Sequence, residues 1–185
     1  ILSNEKRKSL YKEVKDLTPH SDLYFTYHIE PVARNCRMYA ERYLGTGKKI
    51  DPSVCEIAGL LHDIGYTKLY ESNEQDHIRR GVVIAEDLLS SHNVDSAYRE
   101  RIVDCIWTHD GNLERSRFLK NNRIPLENFF VNDIDALCFF DWPLDKLVTF
   151  VQQRLQVVDY KISLLKEAKK TLSYVKFPYF KFLAN

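Results

Sequence analysis

The stretch that most constrains this chain is Ile57-Ala58-Gly59-Leu60-Leu61-His62-Asp63-Ile64-Gly65. An apolar run suited to a buried helix ends in two adjacent side chains that favour metals, and a glycine follows. On a helix of about 3.6 residues per turn, His62 and Asp63 lie about 100° apart, so both lean to one side. Gly65 permits the left-handed conformation that commonly closes a helix. A carboxylate buried beside an imidazole at the end of a core helix is costly unless something pairs with it. A divalent metal is one such partner. The plainer alternative is an ordinary helix end whose last polar residues face water.

A chain of 185 residues is long enough to bury a sizeable core as one domain without disulfides. Its formal charge of +1 gives no global reason to expect a nucleic-acid polymer or a membrane surface as partner. Only 6 glycines, among many Leu, Lys, Glu and Arg, favour helix. No apolar stretch approaches the roughly 20 residues that span a bilayer, and the opening Ile1 to Lys8 lacks the order of a signal peptide. Cys36, Cys55, Cys105 and Cys138 are scattered on apolar positions. They read as reduced core thiols, and the expected location is the cytoplasm.

Helical periodicity recurs along the chain, without strand alternation. Asn4 to Leu17 reads as an amphipathic helix, with a break at Pro19 and Ser21-Asp22. A second helix is expected to begin near His28 with Pro31 in its first turn, and Gly45 and Gly47 end it. Asp51-Pro52 is a cap followed by proline at the first helical position, and it opens the helix of the first motif. The next helix is expected from roughly Glu74 to Ser90. Asp95 or Ser96 caps the one after it, which Asp110-Gly111 stops. From Pro125 the pattern is helical through Asp133 and Asp135. Asp141-Trp142-Pro143 then repeats the cap-and-proline start, opening a long helix toward Tyr174 and an aromatic tail. The expected fold class is all-α, a compact bundle of six or seven helices, one domain over residues 1–185.

Of the six histidines, His28, His62, His77 and His109 stand at the ends or starts of apolar helical stripes. His20 and His92 fall in turns and read as surface residues. One histidine on an apolar face is usually a hydrogen-bonded core residue. Four on separate helices, each within about a turn of a terminus, form a different pattern, because neutral imidazole is the commonest metal ligand. A structural zinc site would favour thiolates, and the cysteines are not spaced for one.

The order His28, then His62-Asp63, then a later helical Asp before Ala-Leu resembles the HD superfamily of metal-dependent phosphohydrolases. The segment from Ala58 to Gly65 is close to that family's central motif, and the likeness covers roughly residues 25 to 140. Val32 and Ala33 after His28, Gly81 after His77, and Ile106 three before His109 each match a recurrent family position.

The resemblance implies a helical bundle holding a divalent metal (Mn, Fe, Mg, Co, Ni or Zn) through His28, His62, Asp63 and a downstream aspartate. Asp133 and Asp135 both qualify. They lie about 200° apart around a helix, so both cannot face one site. The family pattern of ligand, short residue, Leu selects Asp135. Asp133 is then a hydrogen-bonding neighbour of the ligands or a surface carboxylate. His77 and His109 decide between one ion and two. In two-metal members these positions hold the second ion and the motif aspartate, here Asp63, bridges. In the other case they bind substrate phosphate or a metal-bound water. Asp63, His77 and His109 are thus the expected catalytic set.

Lys68, and the basic stretch with Arg115, Arg117, Lys120 and Arg123, are candidates to steady a phosphate, although solvated loop charges would look the same. The chain lacks the inserted strands and the extra domain of the long signalling-nucleotide hydrolases. It also lacks the paired histidines of the cyclic-dinucleotide enzymes that carry a Gly-Tyr-Pro motif. The expected activity is hydrolysis of a small phosphate ester, a nucleotide foremost. A di-iron oxygenase using the same six ligands and a non-catalytic nucleotide-binding module are the alternatives. Association as a homodimer is left open.

Overall fold

In the computed structural model, residues 2–18, 21–66, 77–119, 124–143, 145–149, 166 and 168–177 are described. The described elements are helical, with no strand among them, as the periodicity requires. They run α1 (Asn4–Leu17), α2 (Ser21–Tyr24), a π turn (Phe25–Ile29), α3 (Glu30–Leu44) and α4 (Pro52–Leu61). Next come α5 (His77–Ser91), α6 (Ser96–Thr108) and α7 (Leu126–Cys138).

Local chemistry sets most of these limits. The Asp51 carboxylate accepts from the Ser53 and Val54 N–H groups, and Pro52 occupies the first turn of α4, where its missing donor costs nothing. The Asp95 side chain accepts from the Ala97 N–H and so caps α6. Gly111 follows α6 with φ +87°, a conformation that favours glycine.

Every residue of α4 from Val54 to Leu61 is buried, as expected of a helix enclosed on all sides. It packs against α3, α6 and α7, and α1 covers it through Leu10 and Val14. Its one acidic member, Glu56, is held by Arg7 at 3.2 Å, Arg37 at 2.8 Å and the Tyr11 hydroxyl at 3.2 Å. The α3–α4 pair makes the most extensive contact in the bundle. A Cβ at Gly59 would lie 3.1 Å from Cys36 Sγ and 3.2 Å from Ala33 Cα, so Gly59 is what lets the two backbones approach. A short connection makes the pair antiparallel, which sets the start of α3 beside the end of α4. All four cysteines are buried and reduced.

Several expectations need correction. The helix carrying His28 does not begin there: it is helical from Ser21, and His28 sits inside the π turn. Pro31 offers no N–H and its ring crowds the Tyr27 carbonyl, so the ladder must break nearby. The backbone widens, and the Glu30 N–H donates to the Phe25 carbonyl instead.

Gly65 is not left-handed. It is needed because a Cβ there would overlap the His77 carbonyl oxygen and lie 2.8 Å from the Gly81 nitrogen. His92 is not a surface residue. It is buried, its ring nitrogen lies 3.1 Å from Glu13, and its carbonyl accepts from the Lys6 ammonium, tying the end of α5 to α1.

Asp141 does not cap the last helix. It closes a short 3-10 turn (Phe139–Asp141), and the following N–H groups of Lys146 and Leu147 donate to the Pro143 carbonyl. Residues 145–149 and 168–172 are helical. Most of the long helix expected between Asp141 and Tyr174, the start expected near Glu74, and His20 lie outside the described residues.

Candidate metal centre

The C-terminal ends of α4, α6 and α7, the first described turn of α5 and one inner turn meet at the same end of the bundle. His62 is the C-cap of α4 and His109 the C-cap of α6. The last carbonyls of a helix have no intrahelical donor, and both imidazoles use this. His62 Nδ1 donates to the Gly59 carbonyl at 2.7 Å, and His109 Nδ1 donates to the Ile106 carbonyl at 2.6 Å. A ring protonated on Nδ1 presents an Nε2 lone pair to whatever lies beyond it. His28 arrives from the π turn, His77 from the first described residue of α5, and Asp135 from α7.

These groups form two clusters, His28 with His62 and Asp135, and Asp63 with His77 and His109. In the first, His28 Nε2 lies 3.1 Å from Asp135 Oδ1 and 3.1 Å from His62 Nε2. His62 Nε2 lies 3.4 Å from the same Asp135 oxygen. Asp63 joins the clusters with separate atoms. Its Oδ2 is 3.4 Å from His62 Nε2 and 3.6 Å from His28 Nε2, while its Oδ1 is 3.3 Å from His109 Nε2 and 3.7 Å from His77 Nε2.

Most of the site is buried, with His62 0 % and His109 3 % exposed, while the Asp135 and His77 side chains keep part of their surface open. Burial opposes charge on His28, His62, Asp63, His109 and Asp135, and their mutual attraction overcomes it. The carboxylates of Asp63 and Asp135 hold the His62 imidazole well above its ordinary pKa despite burial, and those of His28 and His109 also rise. Burial likewise works against ionised Asp63, yet His62, His109 and His28 hold its carboxyl well below the usual range. Asp135 is lowered too, against burial, chiefly by His62.

The donor set fits a divalent ion on the geometry alone. With Nδ1 already committed to a carbonyl, His62 points its Nε2 lone pair at His28 Nε2, 3.1 Å away, and either a proton carried by His28 or a metal ion held between the rings satisfies it. Imidazole nitrogens mixed with carboxylate oxygens are a donor set that suits first-row divalent ions.

A family model described as HD domain matches residues 25–139. The chain belongs to the HD domain family. No curated protein and no solved structure matches it. HD-domain chains bind divalent metals, and both His/Asp clusters of this HD domain fall within the matched residues. The N-terminal α1 and Val175 lie outside the match and pack onto the same core. Among the described residues no helix is long and apolar enough to cross a membrane.

Other candidates fall elsewhere. Asp133 is neither beside the ligands nor on the surface. It is 0 % exposed, and its carboxylate accepts from the backbone N–H groups of Lys176 at 2.9 Å and Phe177 at 2.6 Å. Arg115 pairs with Asp110 at 3.2 Å and lies over the Trp107 ring, and Arg117 is exposed with its backbone N–H bonded to buried Asp104. Lys68, Lys120 and Arg123 lie outside the described residues.

Three aromatic residues that the motif does not mark also belong to the HD-domain site. Tyr66 stacks on the His77 ring at 4.2 Å, Trp142 lies 6.4 Å from His28, and the Tyr24 hydroxyl donates to Asp63 Oδ2. Tyr24 had a legible signal, standing four residues before His28. Trp142 had none.

Proposed function

We propose that this HD-domain protein is a metal-dependent phosphohydrolase acting on a small phosphate ester, a nucleotide foremost, through a two-ion site. The observation that carries the reading is the division of the Asp63 carboxylate, one oxygen toward His28 and His62 and the other toward His77 and His109. His28, His62 and Asp135 would hold the first ion, His77 and His109 the second, with Asp63 between them. When bound, such ions supply Lewis acidity toward a phosphoryl oxygen and acidify water at neutral pH.

The chain's residues do the rest. The Nδ1 bonds of His62 and His109 to backbone carbonyls keep both rings from rotating, so each Nε2 stays aimed inward. Burial excludes competing water and strengthens every charge interaction at the reacting phosphorus. In hydrolysis the water oxygen bonds to phosphorus as the ester oxygen leaves. The water gives up one proton and the leaving oxygen takes one. Where only the first cluster is filled, the imidazoles of His77 and His109 remain to accept the water's proton.

The same six residues would also accommodate two irons. Elemental analysis of purified protein, combined with a screen of metals against phosphate esters, separates these readings. The expected result is two divalent ions per chain and release of inorganic phosphate from a nucleotide, lost in Asp63→Ala. Two irons with oxygen-dependent visible absorption and no phosphate release would make the protein an oxygenase. Tight nucleotide binding without turnover under any metal would make it a binding module.

A further inference from the structure

We infer that Tyr24 is a positioning residue for the metal centre, holding the Asp63 carboxylate so that its two oxygens serve different ions. The inference rests on the two-ion reading. A bridging carboxylate must have its plane fixed, because rotation about the terminal bond would turn both oxygens toward one ion as a chelate. That terminal torsion is broad and soft.

Tyr24 opposes the rotation. It is the last residue of α2, 6 % exposed, and its hydroxyl donates to Asp63 Oδ2. Oδ2 is the oxygen directed at His28 and His62, so the bond pins one end of the carboxylate to the first cluster and leaves Oδ1 to His77 and His109. A carboxylate oxygen has a second lone pair, so the hydroxyl and an ion can share Oδ2.

The phenol is itself held. Its ring lies 4.9 Å from the His28 imidazole at a tilt of 31° and 6.5 Å from Trp142. Trp142 in turn packs on Tyr27 at 5.9 Å. The hydroxyl therefore sits at the end of a packed aromatic column rather than on a mobile side chain. Tyr24 touches Asp63 rather than either ion, so it acts through the carboxylate.

The test is Tyr24→Phe, which keeps the ring and removes only the hydroxyl, with Tyr27→Phe as a neighbouring control. Metal-free protein is titrated with Mn²⁺ by calorimetry, and the loaded samples are read by electron paramagnetic resonance for the exchange-coupled signal of a bridged pair. Wild type and Tyr27→Phe are expected to bind two ions and show the coupled signal. Tyr24→Phe should bind the first ion with little change and the second about 10- to 100-fold more weakly, the range for loss of a partner that orients a ligand. Its coupled signal should fall accordingly.

An unchanged second affinity and an unchanged coupled signal in Tyr24→Phe would overturn the assignment of Tyr24. Wild type that binds a single ion would instead overturn the two-ion reading, and the role of Tyr24 with it.

Discussion

Asp63 Oδ1 stands 3.3 Å from His109 Nε2, while the other oxygen of the same carboxylate stands 3.4 Å from His62 Nε2. This relationship predicts how metal stoichiometry responds to single substitutions. His109→Ala removes one ligand of the second ion only, so one ion should remain tightly bound. His28→Ala should weaken the first ion. Asp63→Ala removes the group common to both and should lose both by at least about 100-fold, beyond the upper range for partners one step removed. Calorimetric titration and elemental analysis after desalting measure each outcome. Circular dichroism should show a helical fold throughout. Full metal content in Asp63→Ala would sink the assignment.

The same electrostatics fix a pH dependence. In the metal-free site, burial works against the protonated imidazoles, but Asp63 and Asp135 hold His62 well above its ordinary pKa of 6.5. His28 and His109 are shifted in the same direction. Protons thus compete with metal for the same nitrogens at pH values where an ordinary histidine would already be neutral. Metal affinity should rise with pH through the neutral range and level off only once these imidazoles are deprotonated. Titration near neutral pH in two buffers of different ionisation enthalpy should show protons released per ion bound. No release would mean that the imidazoles are neutral in the metal-free protein.

What the chain discloses in advance depends on how local the physics is. The limits of α1, the Asp51-Pro52 start and the Asp95 cap each involve atoms within a few residues, and the sequence displays them. That Asp133 and Asp135 cannot face one site was legible from helical angle, but the angle does not say which of them faces the histidines, and only the resemblance to the HD pattern of ligand, short residue and Leu pointed to Asp135. Gly65 was misread because its constraint comes from His77 and Gly81, which only the packing of α5 brings near. His92 was misread for the same reason, since Glu13 and Lys6 reach it from the other end of the chain. The π turn at His28 lies between these cases. Pro31 announces a disturbed ladder but not whether the helix will stop or widen.

Asp133 and Asp135 should separate cleanly in experiment. Asp133 accepts from the Lys176 and Phe177 N–H groups and from Asn132, so it fastens the C-terminal segment to α7. Asp133→Ala leaves those donors without their acceptor and should destabilise the protein by on the order of 1–3 kcal/mol. For a chain of this size that lowers the melting temperature by roughly 2–12 °C. Metal affinity should be unchanged. Asp135→Ala should do the reverse, losing the first ion with the smaller effect on metal-free stability. Denaturant unfolding of both metal-free variants, paired with Mn²⁺ titration, makes the comparison. A loss of metal in Asp133→Ala equal to that in Asp135→Ala would contradict the separation.

Gly65 supplies the last prediction, because it links backbone packing to the second ion. A Cβ at this position would overlap the His77 carbonyl oxygen and lie 2.7 Å from its carbon and 2.8 Å from the Gly81 nitrogen. All three are backbone atoms, so no rotamer change relieves the contact, and the start of α5 must shift. Overpacking of this kind costs about 1–3 kcal/mol. His77 is the first described residue of α5, and its ring is 3.7 Å from Asp63 Oδ1, so the same shift withdraws a ligand from the second cluster. Gly65→Ala should therefore lower the melting temperature and weaken the second ion while sparing the first, which residues of the π turn, the end of α4 and α7 would hold. Thermal melts and Mn²⁺ titration of the variant test both halves. If the melting temperature falls but both ions bind as in wild type, α5 yields without moving His77, and the proposed link between the glycine and the ligand is broken.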